Sequence, residues 1–294
     1  MQHKDFKKGI ILSGGTGSRL HPVTLGVSKQ LLPIYNKPTI YYPLTTLMLA
    51  DIREIMIIVN GDEERNFRKL LGNGNQWGVN IEYAIQNKPN GIAEAFLIAE
   101  KFINNHSVTL TLGDNLFFGS NFQGKFLRNS IIKKGATIIT QSVNDPERYG
   151  IVQFDKDYKA INIEEKPKKP KSNFAITGLY FFDNKAVEFS KSLKPSKRGE
   201  LEITDLLKIY LKKKELNVEI LDRGCGWFDT GTFDSLQEAN SLIMNLENRQ
   251  GLRIGYPEEV AWRKGWINDK DFKKEAKKYS KNMYGKYLLN LQGK

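Results

Sequence analysis

Unbroken apolar runs of five to seven residues alternate with stretches of helical periodicity through the first part of the chain. Residues 9–13 (GIILS) run into glycines and predict a buried strand; 54–60 (EIMIIVN), 81–85 and 108–112 (VTLTL) predict three more. Between them, 40–51 (IYYPLTTLMLAD) is long enough for a helix. Residues 61–71 space Phe67, Leu70 and Leu71 at the helical period, and 92–103 (IAEAFLIAEKFI) is amphipathic with that period. Strands buried on both faces read as continuous apolar runs rather than alternating ones. This succession therefore predicts a mostly parallel, doubly wound sheet covered by helices on both faces.

From about Ala136 the pattern turns β-rich, with strands expected at 136–142, 150–154, 160–164 and 175–183. Pro167 and Pro170, with lysines between them, mark a surface turn. Residues 202–214 (EITDLLKIYLKKK) predict a helix with lysines in its last turn, where the helix dipole favours cations. A strand is expected at 218–221, a loop at 227–232 and a helix at 233–246. Beyond Gly251 the chain reads as short lysine-rich helices, with Pro257 near the start of one. No internal repeat or low-complexity linker interrupts the pattern. The expected organisation is one Rossmann-like α/β core with a doubly wound mixed sheet over residues 1–250, followed by a helical C-terminal extension over 251–294.

Composition narrows the class. A chain of 294 residues with 40% hydrophobic content can bury a sizeable core and is not of disordered composition. No apolar run approaches the ~18–20 residues of a membrane span. The charged start, Met1 to Lys8, leads straight into a strand with no cleavable apolar segment, so a cytoplasmic protein is expected. Cys225 is the single cysteine and cannot form an internal disulfide; with no His beside it in sequence it reads as a small apolar residue. His3, His21 and His106 are scattered, which speaks against a His/Cys metal cage and leaves a hard cation held by carboxylates. The net charge of +12 raises the question of a polyanionic partner. Its placement answers it: residues 264–294 carry nine lysines against Asp269, Asp271 and Glu275, a surplus of six and half of the whole excess. Neither nucleic acid nor a membrane is expected as partner.

The first candidate chemistry follows the first strand. Gly14-Gly15-Thr16-Gly17-Ser18-Arg19-Leu20 places glycines where successive N–H groups can cradle an anion. The string is not a Walker A loop, and Leu20 breaks the dinucleotide G-x-G-x-x-G pattern. Arg19 closes the loop and Lys29 follows ten residues later, two cations suited to a nucleoside triphosphate. A plain glycine-rich turn with solvated Arg19 and Lys29 is the alternative. Asp114 ends an apolar strand, where open α/β sheets bind ligands, and Asp229 sits in a turn between Phe228 and Gly231. For each, a metal ligand stands against an ordinary Asx turn or helix cap.

GGTGSRLHPVT followed by SKQLLPIYNKPTIYYPL resembles the signature of the sugar-nucleotide pyrophosphorylases, a nucleotidyltransferase family, and Lys29-Gln30 resembles its thymidylyl-transferring branch. The likeness continues in order through Leu112-Gly113-Asp114-Asn115, Asp145 to Gly150, Glu164-Glu165-Lys166-Pro167, Thr177 to Tyr180, Arg198 to Asp205 and Trp227 to Thr232. Departures are mild: Ser18 stands where the family has threonine and Ser13 where it has alanine.

The resemblance implies transfer of dTMP from dTTP to glucose 1-phosphate, giving dTDP-glucose and pyrophosphate, as the first step toward dTDP-rhamnose and polysaccharide. It implies a nucleotide part at about 1–115 and a sugar part at about 116–250, and a homotetramer. Asp114 and Asp229 would together hold one Mg²⁺, with Arg19, Lys29, Lys166 and Asp114 carrying the catalysis. Gly14, Gly15, Gly17, Ser18, Arg19, Lys29, Gln86, Gly91 and Asp114 would face the nucleotide, Gln86 donating and accepting at the edge of thymine or uracil. Asn115, Gly150, Glu165, Lys166, Ile176 and Arg198 would face the sugar phosphate. Lys166 lies in a lysine run (Lys166, Lys168, Lys169, Lys171) that by itself reads as a solvated face. Trp227 would line the sugar site or belong to the core. A second, regulatory nucleotide site at a subunit interface would involve Arg223, Arg249, Glu258 and Glu259.

Overall fold

A computed structural model describes residues 7–119, 124, 128–130, 132–251 and 253–292 of the chain; His3 and Lys294 lie outside the described residues. Thirteen strands occur among the described residues: β1 (Lys8–Ser13), β2 (Pro33–Ile34), β3 (Lys37–Pro38), β4 (Glu54–Val59), β5 (Asn80–Ile85), β6 (Val108–Leu112), β7 (Asn115–Phe118), β8 (Ala136–Ser142), β9 (Gly150–Phe154), β10 (Ala160–Glu165), β11 (Phe174–Phe182), β12 (Leu216–Ile220) and β13 (Gly226–Asp229). Nine form one sheet in the order β10-β9-β11-β6-β1-β4-β5, with β8 on β11 and β12 on β8.

The sheet is mixed. β1 runs parallel to β4 and β6, and β4 to β5. β11 then pairs antiparallel with β6, β8 and β9. The mostly parallel expectation holds for the first half, where helices separate the strands. It gives way after β6, where β8 to β11 follow each other through turns too short for a crossover; β12, reached through two helices, pairs parallel with β8.

Successive residues of β1 serve opposite faces. Ile11 belongs to a cluster with Leu47, Ile57 and Phe181, and Ile10 to one with Ile58, Phe96 and Phe182. Burial on both faces explains the unbroken apolar strands; each large side chain removed from water contributes about 1.5–3 kcal/mol. The helices Pro257–Arg263, Asp269–Lys278 and Met283–Leu291 of the C-terminal extension join the first cluster beside the helix Tyr41–Leu49. Tyr256 stacks on Tyr284 at 4.2 Å between ring centroids, and Tyr41 meets Trp77 edge-on at 5.9 Å.

Three readings are corrected. Residues 227–232, expected as a loop, begin with β13, which pairs antiparallel with β7 in a separate two-stranded ribbon. Each strand has only four residues and the partners lie far apart in sequence, so no local pattern announces them. The single helix expected at 92–103 is broken into Glu94–Ile98 and Glu100–Ile103. Ala99 caps the first, with its N–H bonded to Ala95 O, and the apolar period runs on through the break. The helix Phe233–Gln250 begins as expected, on a Thr232–Ser235 capping box, but runs four residues longer than its apolar period suggested.

Candidate active site

The carboxyl ends of β1, β4, β5 and β6 meet at one sheet edge. Gly113 N donates to Leu12 O at 2.9 Å, and Gln86 N donates to Val59 O at 2.9 Å. The glycine loop, Gln86 and Asp114 therefore leave the sheet side by side, where open α/β sheets bind ligands. Gly17 adopts φ 64° and starts the short turn Ser18–Leu20. Thr24 Oγ1 donates to Gly17 O at 2.7 Å and fixes the loop. A Cβ on Gly14 would lie 2.4 Å from Gln86 Oε1, so the loop and Gln86 are in close contact. Gly15, Ser18 and Arg19 are exposed on the open side.

Two carboxylates face this loop. Asp114 pairs with Lys29 and accepts from Asn115 Nδ2 at 2.7 Å. Its backbone carbonyl accepts from Thr230 N at 3.0 Å and Thr230 Oγ1 at 2.9 Å, tying the end of β6 to the residue after β13. Asp229, the last residue of β13, lies opposite Asn115 in the ribbon. Tyr149 OH donates to its Oδ1 at 3.1 Å, and Arg148 reaches its Oδ2 at 3.4 Å. A Cβ on Gly231 would lie 2.7 Å from Arg19 Nη2 and 3.2 Å from Asp229 Oδ2, so Arg19 and Asp229 converge over that glycine.

Burial alone would push the Asp114 carboxyl up. The Lys29 charge and hydrogen bonds from Lys29 and Asn115 outweigh it and hold the group below its usual range. Asp229 goes the other way: burial pushes it up, the charge of Asp114 adds to this, and Arg148, Tyr149 and Arg19 only partly offset it. Two half-buried carboxylates that repel each other, balanced by cations at the rim, form a donor set that fits a hard divalent cation. Among the described residues no cluster of three His, Cys, Asp or Glu side chains offers a fuller cage.

The residues assigned to the sugar phosphate also come together. A Cβ on Gly150 would lie 2.8 Å from Thr204 Cγ2, 3.4 Å from Glu165 Oε2 and 3.5 Å from Ile176 Cδ1. Lys166 Nζ stands 3.9 Å and Arg198 Nη1 3.5 Å from Glu165 Oε1. Lys166 has φ 41°, with its N–H bonded to Tyr149 O at 3.0 Å, so the backbone itself singles it out of the lysine run. Burial and the Glu202 charge push the Glu165 carboxyl up, against Lys166, Thr204 and Arg198. Gly91, at φ 108°, packs on Leu201, where a Cβ would meet Leu201 O at 2.3 Å, and links the two halves of the cleft.

Asn115 is buried, and its Oδ1 accepts from Gly178 N at 3.1 Å and from Trp227 Nε1. It supports the site from beneath. Trp227 is likewise buried against Tyr149, 5.1 Å between centroids, in the core. Cys225 is half-buried beside Gly119.

Sequence alone assigns no role to Arg148, Tyr149 and Thr230. A carboxylate at a buried strand end requires a cation, and the Asp145–Gly150 stretch supplied one; only the fold shows which carboxylate it serves. Of the residues expected at a second site, Glu259 lines a cavity of about 830 Å³ with Tyr42, Phe117, Arg253 and Arg263. Glu258 is sealed inside against Tyr284, while Arg223 and Arg249 are exposed outside the lining.

Comparison with known proteins gives this geometry a lineage. Residues 8–245 match the nucleotidyl transferase family. A glucose-1-phosphate thymidylyltransferase of Neisseria meningitidis is 52% identical over 284 residues, 97% of this chain and 99% of the relative. One from Mycobacterium tuberculosis is 50% identical over 97% of this chain and 98% of its own length. A solved Bacillus anthracis protein described as a glucose-1-phosphate thymidylyltransferase, in complex with sucrose, is 44% identical with a TM-score of 0.75, covering 80% of this chain and 94% of that one. A UDP-glucose pyrophosphorylase solved with UDP-glucose shares the fold at a TM-score of 0.72 and 23% identity, covering 82% of this chain and 99% of that one. The chain belongs to the nucleotidyl transferase family of enzymes and stands within it beside the glucose-1-phosphate thymidylyltransferases, half of whose residues it shares over nearly its whole length.

Proposed function

We propose that this enzyme transfers dTMP from dTTP to α-D-glucose 1-phosphate, yielding dTDP-glucose and pyrophosphate. The observation that carries the reading is the 52% identity to enzymes of that activity along 97% of the chain, with the loop, carboxylate and sugar-side residues gathered at one sheet edge. A phosphate oxygen of the sugar phosphate attacks the α-phosphorus in line, the bond to the bridging oxygen breaks, and pyrophosphate leaves with the electron pair. Two anions must meet, so positioning and charge neutralisation dominate. The glycine loop cradles the triphosphate, with Arg19 over the leaving pyrophosphate and Lys29 on the same phosphates. Lys166 holds the attacking sugar phosphate; Glu165 and Arg198 orient the sugar. Asp114 and Asp229 would hold Mg²⁺, which when bound neutralises phosphate charge and polarises the α-phosphate.

The same reading places the enzyme at the first step toward dTDP-rhamnose and polysaccharide, in the cytoplasm, as a homotetramer. Pyrophosphate release with glucose 1-phosphate and each common nucleoside triphosphate tests the assignment. Release with dTTP and Mg²⁺ is expected. Absence of release with dTTP would refute it, and equal rates with UTP would replace thymidylyl by uridylyl transfer.

A further inference from the structure

Gln86 is buried at the end of β5, its backbone N–H fixed on Val59 O. Its amide nitrogen donates to Glu94 Oε2 at 2.7 Å and to Gly91 O at 3.3 Å. The other Glu94 oxygen accepts from Asn90 Nδ2 at 2.8 Å. Both N–H groups of the Gln86 amide are therefore engaged within the protein, and its Oε1 is the atom set against the glycine loop at Gly14.

Left alone, a glutamine amide turns over at little cost and exchanges acceptor for donor. A carboxylate accepts only, so the end of Gln86 that meets Glu94 must be its NH₂. This sharpens the expectation that Gln86 both donates and accepts at the base: here it offers an acceptor. Thymine and uracil carry a hydrogen on N3 and can donate to that oxygen. Cytosine carries a lone pair on N3 and would oppose it acceptor to acceptor. A site built to receive a donor discriminates strongly against a ligand that lacks one.

We propose that Glu94 is a positioning residue for nucleotide selection: it locks the Gln86 amide with its oxygen toward the nucleotide, so that the enzyme accepts pyrimidines bearing N3–H and rejects cytosine. The proposal rests on the reading that Gln86 meets the base.

The test is kcat and KM for dTTP and dCTP, with glucose 1-phosphate and Mg²⁺, in the wild type, Glu94→Leu, Glu94→Gln and Gln86→Leu. The wild type should favour dTTP by roughly 100-fold or more in kcat/KM. Glu94→Leu should raise KM for dTTP about tenfold with kcat within about twofold, and narrow the dTTP-to-dCTP preference about tenfold. Glu94→Gln keeps an acceptor oxygen and should restore the preference to within about threefold of wild type. A folded Glu94→Leu that lowers both substrates equally, leaving the ratio intact, overturns the proposal and marks Glu94 as merely structural. Equal use of dCTP and dTTP by the wild type overturns it with no variant needed. Unchanged KM for dTTP in Gln86→Leu removes the base contact itself; a raised KM there, with the ratio intact in Glu94→Leu, removes only the role of Glu94.

Discussion

Lys29–Asp114 and Lys37–Glu247 are both lysine–carboxylate pairs, and their lysines lie eight residues apart in sequence, yet their surroundings differ in kind. The Lys37 and Glu247 side chains are 1% and 0% exposed, and every polar atom of the pair is answered. Lys37 Nζ reaches Glu247 Oε1 at 2.9 Å and Tyr42 OH at 3.2 Å, and lies 4.6 Å from the Tyr256 ring centre. Glu247 also accepts from Arg253 at 3.0 Å and Ile254 N at 3.0 Å. Burial pulls Lys37 down to about 8, against the pull of Glu247 in the other direction. The Lys29 and Asp114 side chains are 11% and 18% exposed, and neighbouring Asp229, also 18% exposed, is met by Tyr149 at 3.1 Å and Arg148 at 3.4 Å. The buried Lys37–Glu247 network fastens the β2–β3 hairpin to the helix Phe233–Gln250 and to the start of the C-terminal extension. The partly exposed one, open at the rim, can exchange its partners for phosphates and a cation.

That contrast can be broken by substitution. Asp114→Asn should cut kcat roughly 10²–10³-fold while thermal unfolding stays near wild type; near-normal turnover would move Asp114 out of the active carboxylate pair. Lys37→Met should do the reverse. It removes one member of a buried ion network and should lower unfolding stability by about 3 kcal/mol in chemical denaturation, with kcat at low temperature within a few-fold of wild type. A large loss of turnover in the folded Lys37→Met protein would show that the buried network serves catalysis directly.

A subtler effect comes from pH. The Glu165 carboxyl lies above its usual range, so as pH falls it takes up a proton earlier than an ordinary glutamate. On the proposed reading Glu165 accepts from the sugar, and its ionised form accepts more strongly than its protonated form, so kcat/KM for glucose 1-phosphate should decline through an acid limb placed above the usual glutamate value. Glu165→Gln should abolish that limb and lower kcat/KM about tenfold. An acid limb unchanged in Glu165→Gln assigns it to another group. The smallest effect belongs to Lys191–Glu100, a pair half-exposed on both sides. Lys191→Ala should shift stability by less than about 0.5 kcal/mol.

The same contrast explains what could be read from sequence. The strands β1, β4, β5 and β6 are legible because burial on both faces writes continuous apolar runs. The rule that ligands bind beyond such strand ends then points to the glycine loop, Gln86 and Asp114. The β7–β13 ribbon is not legible, because its pairing joins 115–118 to 226–229 and no periodicity spans that gap. The partners Arg148–Asp229 and Gln86–Glu94 exist only once strands and loops are placed beside each other. No local pattern in the sequence marks Lys37 and Glu247 as buried; only their packing against each other, with Tyr42 and Tyr256 around Lys37, makes them interior. Family likeness singles out Lys166, which its lysine run alone leaves as a solvated face, and the fold sets Glu165 beside Lys166 and Arg198.

The central claim is that the cleft joins a nucleoside triphosphate to a sugar phosphate. ³¹P NMR of the enzyme with dTTP, glucose 1-phosphate and Mg²⁺ tests it most directly, because every phosphorus is accounted for in one spectrum. The account predicts that the two diphosphate resonances of dTDP-glucose grow equally, and that the single resonance of pyrophosphate, with two equivalent phosphorus atoms, grows twice as fast as either, at the expense of both substrates. Appearance of orthophosphate with glucose 1-phosphate unchanged would contradict it.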